Sequence, residues 1–270
     1  MILQDKKGLL LYRTDRLGER DWRYDSCYKL IFTPYGKSLY QTSRSDIQIE
    51  EDQFFIFNPK FEHKQIQVTK EKFLVEIEPN LLNEIASQLG VPGTDMEFAS
   101  TAFKNPLLLQ WVSFTKNFLT MNENMTIGMQ KLFIESSLIQ LTTLMLQYAP
   151  GSQLEELPHS LYSPNINRVL DALKQSYQQD WSLDDMATIA GMNKFPFSHA
   201  FKRETGLSAY SWLQLFRLLK SQHFLTKTNR SIISIALDVG FKNVSSYNTL
   251  FLKIYGRTPS EFRLLYRRNS

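Results

Sequence analysis

At 270 residues, with 43% hydrophobic and 21% charged side chains, the chain predicts two ordinary globular domains with apolar cores large enough to need no disulfide or metal staples. The single Cys27 cannot form an internal bridge, Met1 is followed by no signal-peptide pattern, and no window of about eighteen apolar residues offers a membrane span; a cytoplasmic protein is expected. The net charge of +4 is split unevenly, because residues 163–270 hold 15 Lys and Arg against 7 Asp and Glu while the rest hold 16 against 20, so one half is suited to a polyanion.

From Tyr28 to Glu78 aromatic and β-branched runs alternate with turn signals. Strands are predicted over Tyr28–Phe32, Ser38–Thr42, Asp46–Glu50, Phe54–Phe57, His63–Val68 and Phe73–Glu78, broken at Pro34-Tyr35-Gly36, Glu51-Asp52 and Asn58-Pro59. Short strands at this spacing suggest an antiparallel barrel or sandwich.

Helical patterns follow over Pro79–Gly90, broken by Val91-Pro92-Gly93, then near Pro106–Thr120 and Thr126–Tyr148. In the last, Ile134, Leu138, Leu141, Met145 and Tyr148 form a heptad-like seam that suits either an internal core or a dimer interface. Residues 151–163 are rich in Pro, Gly and Ser and read as a linker between a domain at 1–150 and another at 164–270.

Ser163-Pro164 predicts a helix start, with Ile166, Leu170, Leu173 and Tyr177 on one face. Ser182 and Asp185 have capping-box spacing, and Gly191 ends the helix they open. A helix-turn-helix needs a small residue where its helices cross and a glycine where the turn goes left-handed, and Ala187 and Gly191 meet those needs. The segment 231–241 then lies over 182–192 without a gap, placing Ala236 and Gly240 at an offset of 49 from Ala187 and Gly191. One such pair is common by chance; two at matched spacing, each opened by serine and followed by an amphipathic helix, point to paired helix-turn-helix units.

On the motifs SLDDMATIAGM, FKRETGLS, FRLLKSQHFL, SIISIALDVGFKN and YGRTPSEFR, in that order from Ser163 to Arg268, the chain resembles the DNA-binding domain of the AraC/XylS transcription regulators. The resemblance implies two recognition helices in successive major grooves of double-stranded DNA, held apart by a rigid helix over about Ser208–Leu225. Carried over by position, base-edge candidates are Phe195, Ser198 and His199 in the first unit and Val244, Ser245, Asn248 and Thr249 in the second. Asn248 suits a bidentate bond to adenine. Lys194, Lys202, Arg203, Lys242 and Lys253 are candidates for phosphates, while Leu252 stands where relatives usually carry lysine.

The resemblance extends more weakly to Tyr28–Glu78, through the segment from Glu50 to Pro59 and the pair Glu62-His63, and implies a cupin-like barrel that binds a small effector. Trp22, Tyr28, Tyr40 and His63 are the ligand-binding candidates. A metal cupin needs several His and an acid, whereas this half offers His63 and, in the linker, His159; no metal, no cofactor and no enzyme activity are expected. The expected fold is therefore α+β, a cupin-like antiparallel β-barrel with helices followed by an all-α domain with two helix-turn-helix motifs. The expected function is an effector-modulated regulator, an activator that as such would meet RNA polymerase, with homodimerisation through the seam as an option and no membrane partner. Alternatives are a regulator controlled by abundance or a partner protein, and a cupin enzyme fused to a helical module.

Overall fold

The apolar runs become strands in pairs set by local turns. The first two, β1 (Ile2–Asp5) and β2 (Gly8–Arg13), form a hairpin whose turn is held by Asp5 Oδ1, which accepts from the amides of Lys7 at 2.8 Å and Gly8 at 3.1 Å. The sequence reading passed over this hairpin. The next six are β3 (Tyr28–Thr33), β4 (Lys37–Thr42), β5 (Asp46–Glu50), β6 (Gln53–Phe57), β7 (His63–Gln67) and β8 (Lys72–Ile77), close to the predicted runs. This computed structural model describes residues 1–14, 21–43, 46–67, 71–90, 97–122, 124–151 and 162–267. Val68, Val91-Pro92-Gly93, His159, Arg268 and most of the linker expected over 151–163 lie outside them. The chain separates into two units, Met1–Leu154 and Glu155–Ser270.

In the first unit every strand pair is antiparallel, but the described strands form two sheets, β1-β2-β8-β3-β6 and β5-β4-β7, rather than the expected closed barrel. The edges that closure would have paired are met by irregular chain. Phe54 of β6 exchanges backbone hydrogen bonds with Phe103 at 2.8 and 3.0 Å, and His63 of β7 does so with Arg23 at 2.8 and 3.1 Å.

Strand β3 is buried along its whole length because both faces are covered. Its Ile31 joins Tyr40, Ile49, Phe55, Phe57 and Leu74 between the two sheets. Its Tyr28, Leu30 and Phe32 turn to the other side, against α1 (Pro79–Gln88), α2 (Pro106–Met121) and α3 (Ile127–Tyr148). The apolar seam on α3 belongs to this core: Ile134 is 2% exposed and Leu138, Leu141 and Met145 are 0% exposed, with Tyr148 half-buried. Those four side chains are packed from within the chain, so of the two roles open to the seam, internal core and dimer interface, they have the geometry of a core.

The second unit is helical: α4 (Pro164–Gln175), α5 (Leu183–Ala190), α6 (Lys194–Thr205), α7 (Ala209–Lys227), α8 (Ile232–Asp238), α9 (Val244–Tyr255) and α10 (Pro259–Arg267). Ser163 is the N-cap residue of α4 and Pro164 follows it as expected, but the Ser163 hydroxyl makes no capping bond; its amide and hydroxyl donate to Glu204 at 2.8 and 3.2 Å. Ile166, Leu170 and Leu173 of α4 pack with Met186, Ala187 and Ala190 of α5 and with Phe197 and Phe201 of α6.

Candidate nucleic-acid interface

The first reading unit is α5 and α6. Ser182 Oγ accepts from the Asp185 amide at 3.1 Å while an Asp185 oxygen accepts from the Ser182 amide at 3.0 Å, so the predicted capping box is complete. Gly191 ends α5 in the left-handed region at φ 64°. Ala187, 3% exposed, lets α6 cross closely. Phe197, Ala200 and Phe201 fix α6 by one face, which leaves Lys194, Phe195, His199, Lys202 and Arg203 exposed and Ser198 half-buried. Phe195 is 79% exposed, a large apolar ring in water on a helix whose other aromatics are covered.

The second unit, α8 and α9, repeats the plan. Ser231 Oγ accepts from the Ser234 amide at 3.0 Å, and Ile235 and Ala236 are 0% exposed. Tyr247, Phe251, Ile254 and Tyr255 hold α9, leaving Ser245, Thr249 and Lys253 exposed and Lys242 exposed in the turn before it. Val244 and Asn248 are half-buried, and the Asn248 Oδ1 is covered and without a hydrogen-bond partner. A bidentate adenine contact needs both amide atoms outward, so the contact expected of Asn248 requires its side chain to swing away from this position, whereas Thr249 already faces solvent. Sequence reasoning passed over Asn193 and Asn243, at the N-caps of α6 and α9. Their signal was legible: both stand immediately before a recognition helix.

One lysine of each unit lies against an aspartate: Lys194 meets Asp184 of the same unit at 2.7 Å, and Lys242 meets Asp180, in the segment before α5, at 3.3 Å. All four side chains are well exposed, so each pair contributes no more than about 1 kcal/mol. A groove of about 480 Å³ runs beside α7, lined by Asp180, Asp185, Gln214, Arg217, Lys242 and Ser246 among others. Burial pulls the pKa of Arg217 down from its ordinary value, although arginine stays charged.

The four ligand-binding candidates do not converge. Trp22 is 45% exposed, and Tyr28 packs edge-on to Phe98 on the helical side of the sheet. Tyr40 and His63 do meet between the sheets, with ring centroids 6.2 Å apart. His63 is held on every side: its ring stacks on Phe57 at 3.9 Å, Nδ1 meets the Phe61 carbonyl at 2.8 Å, and Nε2 faces Lys29 Nζ at 3.5 Å. Lys29 in turn pairs with Asp25 and Glu76.

A family model described as a helix-turn-helix domain matches residues 186–264, from α5 into α10. The transposon Tn10 TetD protein of Escherichia coli is 34% identical over 115 residues, 43% of this chain and 83% of that protein. The arabinose operon regulatory protein of Escherichia coli K12 is 31% identical over 117 residues, 41% of this chain and 39% of that protein. The virulence regulon transcriptional activator VirF of Yersinia enterocolitica is 29% identical over 130 residues, 47% of this chain and 48% of that protein. Apart from TetD, the match thus spans less than half the length of these relatives. Among solved structures, the C-terminal domain of AraT, a response regulator from Geobacillus stearothermophilus, is 28% identical over 41% of this chain and 89% of that one, with a TM-score of 0.37. With the two helix-turn-helix units in place, the helix-turn-helix family model running through them and TetD matched over most of its length, the chain belongs to the AraC/XylS family of transcription regulators.

Proposed function

We propose that this chain regulates transcription by laying α6 and α9 into successive major grooves of double-stranded DNA. The observation that carries the reading is the doubled unit itself. Two short helices pack by aromatic inner faces and each presents a polar, partly basic outer face, in the half of the chain that carries the net charge of +8. Lys194, Lys202, Arg203, Lys242 and Lys253 would neutralise phosphates, and Phe195, Ser198, His199, Ser245 and Thr249 would meet base edges. Thymine methyls suit the exposed Phe195. Footprinting of the full chain on genomic fragments tests this. Protection of one helix face over about two turns, weakening steeply with salt, is expected; absent or salt-insensitive protection overturns it.

The first unit, read as a cupin-like fold left open, would sense a small effector near Tyr40 and His63, and the protein would act in the cytoplasm as an activator in contact with RNA polymerase. Homodimerisation would then use surfaces other than the interior seam of α3. In this reading the chain acts by binding, without catalysis. The dense interior between the sheets, where Tyr40, Phe55, Phe57 and Ile49 are at most 1% exposed, favours a second reading, regulation without an effector. Mass spectrometry of small molecules released from the purified protein separates the two.

A further inference from the structure

Arg217 lies in the middle of α7 and is 4% exposed. Its guanidinium donates from Nε to the Tyr177 carbonyl and from Nη2 to the Gln179 carbonyl, each at 2.7 Å. Both acceptors lie in the segment 176–182 that joins α4 to α5, and Trp181 Nε1 ties that segment together by donating to the Ser176 carbonyl at 2.9 Å. The helix that leads to the second reading unit is thus bolted to the segment that launches the first.

Gly240 approaches the same segment from the second unit. It sits at φ 92°, and a Cβ there would stand 2.8 Å from the Gln178 carbonyl oxygen, 2.9 Å from Gln178 Cα and 2.9 Å from Arg217 Nε. Its counterpart in the repeat has no such neighbour: a Cβ on Gly191 would meet Arg168 Nη2 at 4.0 Å. The two glycines look equivalent in sequence, yet one serves its own turn and the other seats one unit against the other. The Lys242–Asp180 pair spans the same seam, but exposed charges hold less firmly than the buried guanidinium and its two carbonyls.

We infer that Arg217 and Gly240 are positioning residues that fix the separation and rotational phase of the recognition helices, and so set the half-site spacing this chain accepts on DNA. The inference rests on the two-groove reading above. Glutamine at 217 could reach one of the two carbonyls but not both, and a methyl at 240 forces the units apart.

The probe is a set of duplexes selected by the full-length wild type from a random-sequence pool, alongside versions with one or two base pairs inserted between the half-sites. One inserted pair moves a half-site by about 3.4 Å and turns it about the axis. The wild type should lose about tenfold or more on insertion. Arg217→Gln and Gly240→Ala should each bind the parent duplex several-fold more weakly, lose less than about threefold on insertion, and hold a single half-site as the wild type does. Arg217→Lys should recover part of the spacing preference. Variants that keep the wild-type insertion penalty, or lose half-site binding in step with the parent duplex, overturn the inference while leaving the two-groove reading intact. A wild type indifferent to insertion overturns both. Should Arg217→Gln lose its helical circular dichroism, Gly240→Ala, which keeps the arginine, decides.

Discussion

The phenolic hydroxyl of Tyr247 in α9 donates to Ser221 Oγ in α7 at 3.0 Å, and both side chains are 0% exposed. Ser221 passes the chain on by donating to the Leu218 carbonyl at 2.6 Å. Deleting the donor leaves Ser221 with its other bond, whereas deleting Ser221 strands a buried phenol. Tyr247→Phe should therefore cost about 0.5–1.5 kcal/mol and Ser221→Ala about 1–3 kcal/mol. Denaturant midpoints check the order; equal costs would show that the hydroxyl finds another acceptor.

Gly191 and Gly240 should part company under the same substitution. At Gly191 the space is open, so Gly191→Ala carries only the left-handed backbone cost of about 1–2 kcal/mol. Gly240→Ala adds overpacking of about 1–3 kcal/mol to that. Thermal melts of the two variants compare them directly.

The interior position of the α3 seam predicts that Leu138→Ala and Leu141→Ala each destabilise the first unit by about 2–5 kcal/mol. Sedimentation should show the oligomeric state of the folded variants unchanged. A clean shift from dimer to monomer with little loss of stability would return the seam to the surface.

Burial, aided by the nearby charges of Glu76 and Asp25, pushes the Cys27 thiol from its ordinary 9.0 up to about 12. Native protein at pH 8 should react with a thiol reagent at least about a hundredfold more slowly than unfolded protein. Because the folded state holds this proton more tightly, its contribution to stability is complete below pH 9 and is lost as pH climbs from 9 toward 12. Cys27→Ala should flatten that alkaline decline; an unchanged slope would assign it to other groups.

On DNA, Thr249→Ala should cost about 1–3 kcal/mol at a single base pair, while Lys202→Ala and Lys253→Ala should weaken all sequences alike and lower the salt slope by about 1 each. Asn248→Ala should matter less than Thr249→Ala, since its carbonyl oxygen is already turned inward. Binding profiles over single-base variants of a selected site distinguish these patterns.

Much of the second unit was legible because its rules are local. Ser182 with Asp185, Ser231, Gly191 and the alternation of Phe197, Ala200 and Phe201 each act within a few residues, so sequence spacing carries them. The first unit hid where its determinants are distant. In β3 both faces are buried, so no period of two tells Tyr28 from Ile31, and the two point into different cores. The hairpin of β1 and β2 was masked by the unbroken apolar run Leu9-Leu10-Leu11, which shows no alternation either. Whether the sheet closes depends on edges met by Phe103 and Arg23, far along the chain or outside any strand. The seam on α3 has the same pattern for an inner core as for a dimer, and only the packing of α1 and β1 against it decides.

The pairs Lys194–Asp184 and Lys242–Asp180 carry a thermodynamic consequence. Each aspartate is an internal decoy for the phosphate its lysine would meet. A backbone oxygen arriving there displaces a carboxylate rather than empty water, so the gain from mere charge is discounted at both reading heads. The discount, at most about 1 kcal/mol per lysine, falls on every DNA sequence equally. Contacts to base edges escape it, so a correct site keeps its full margin over wrong ones while all of them release the protein more readily.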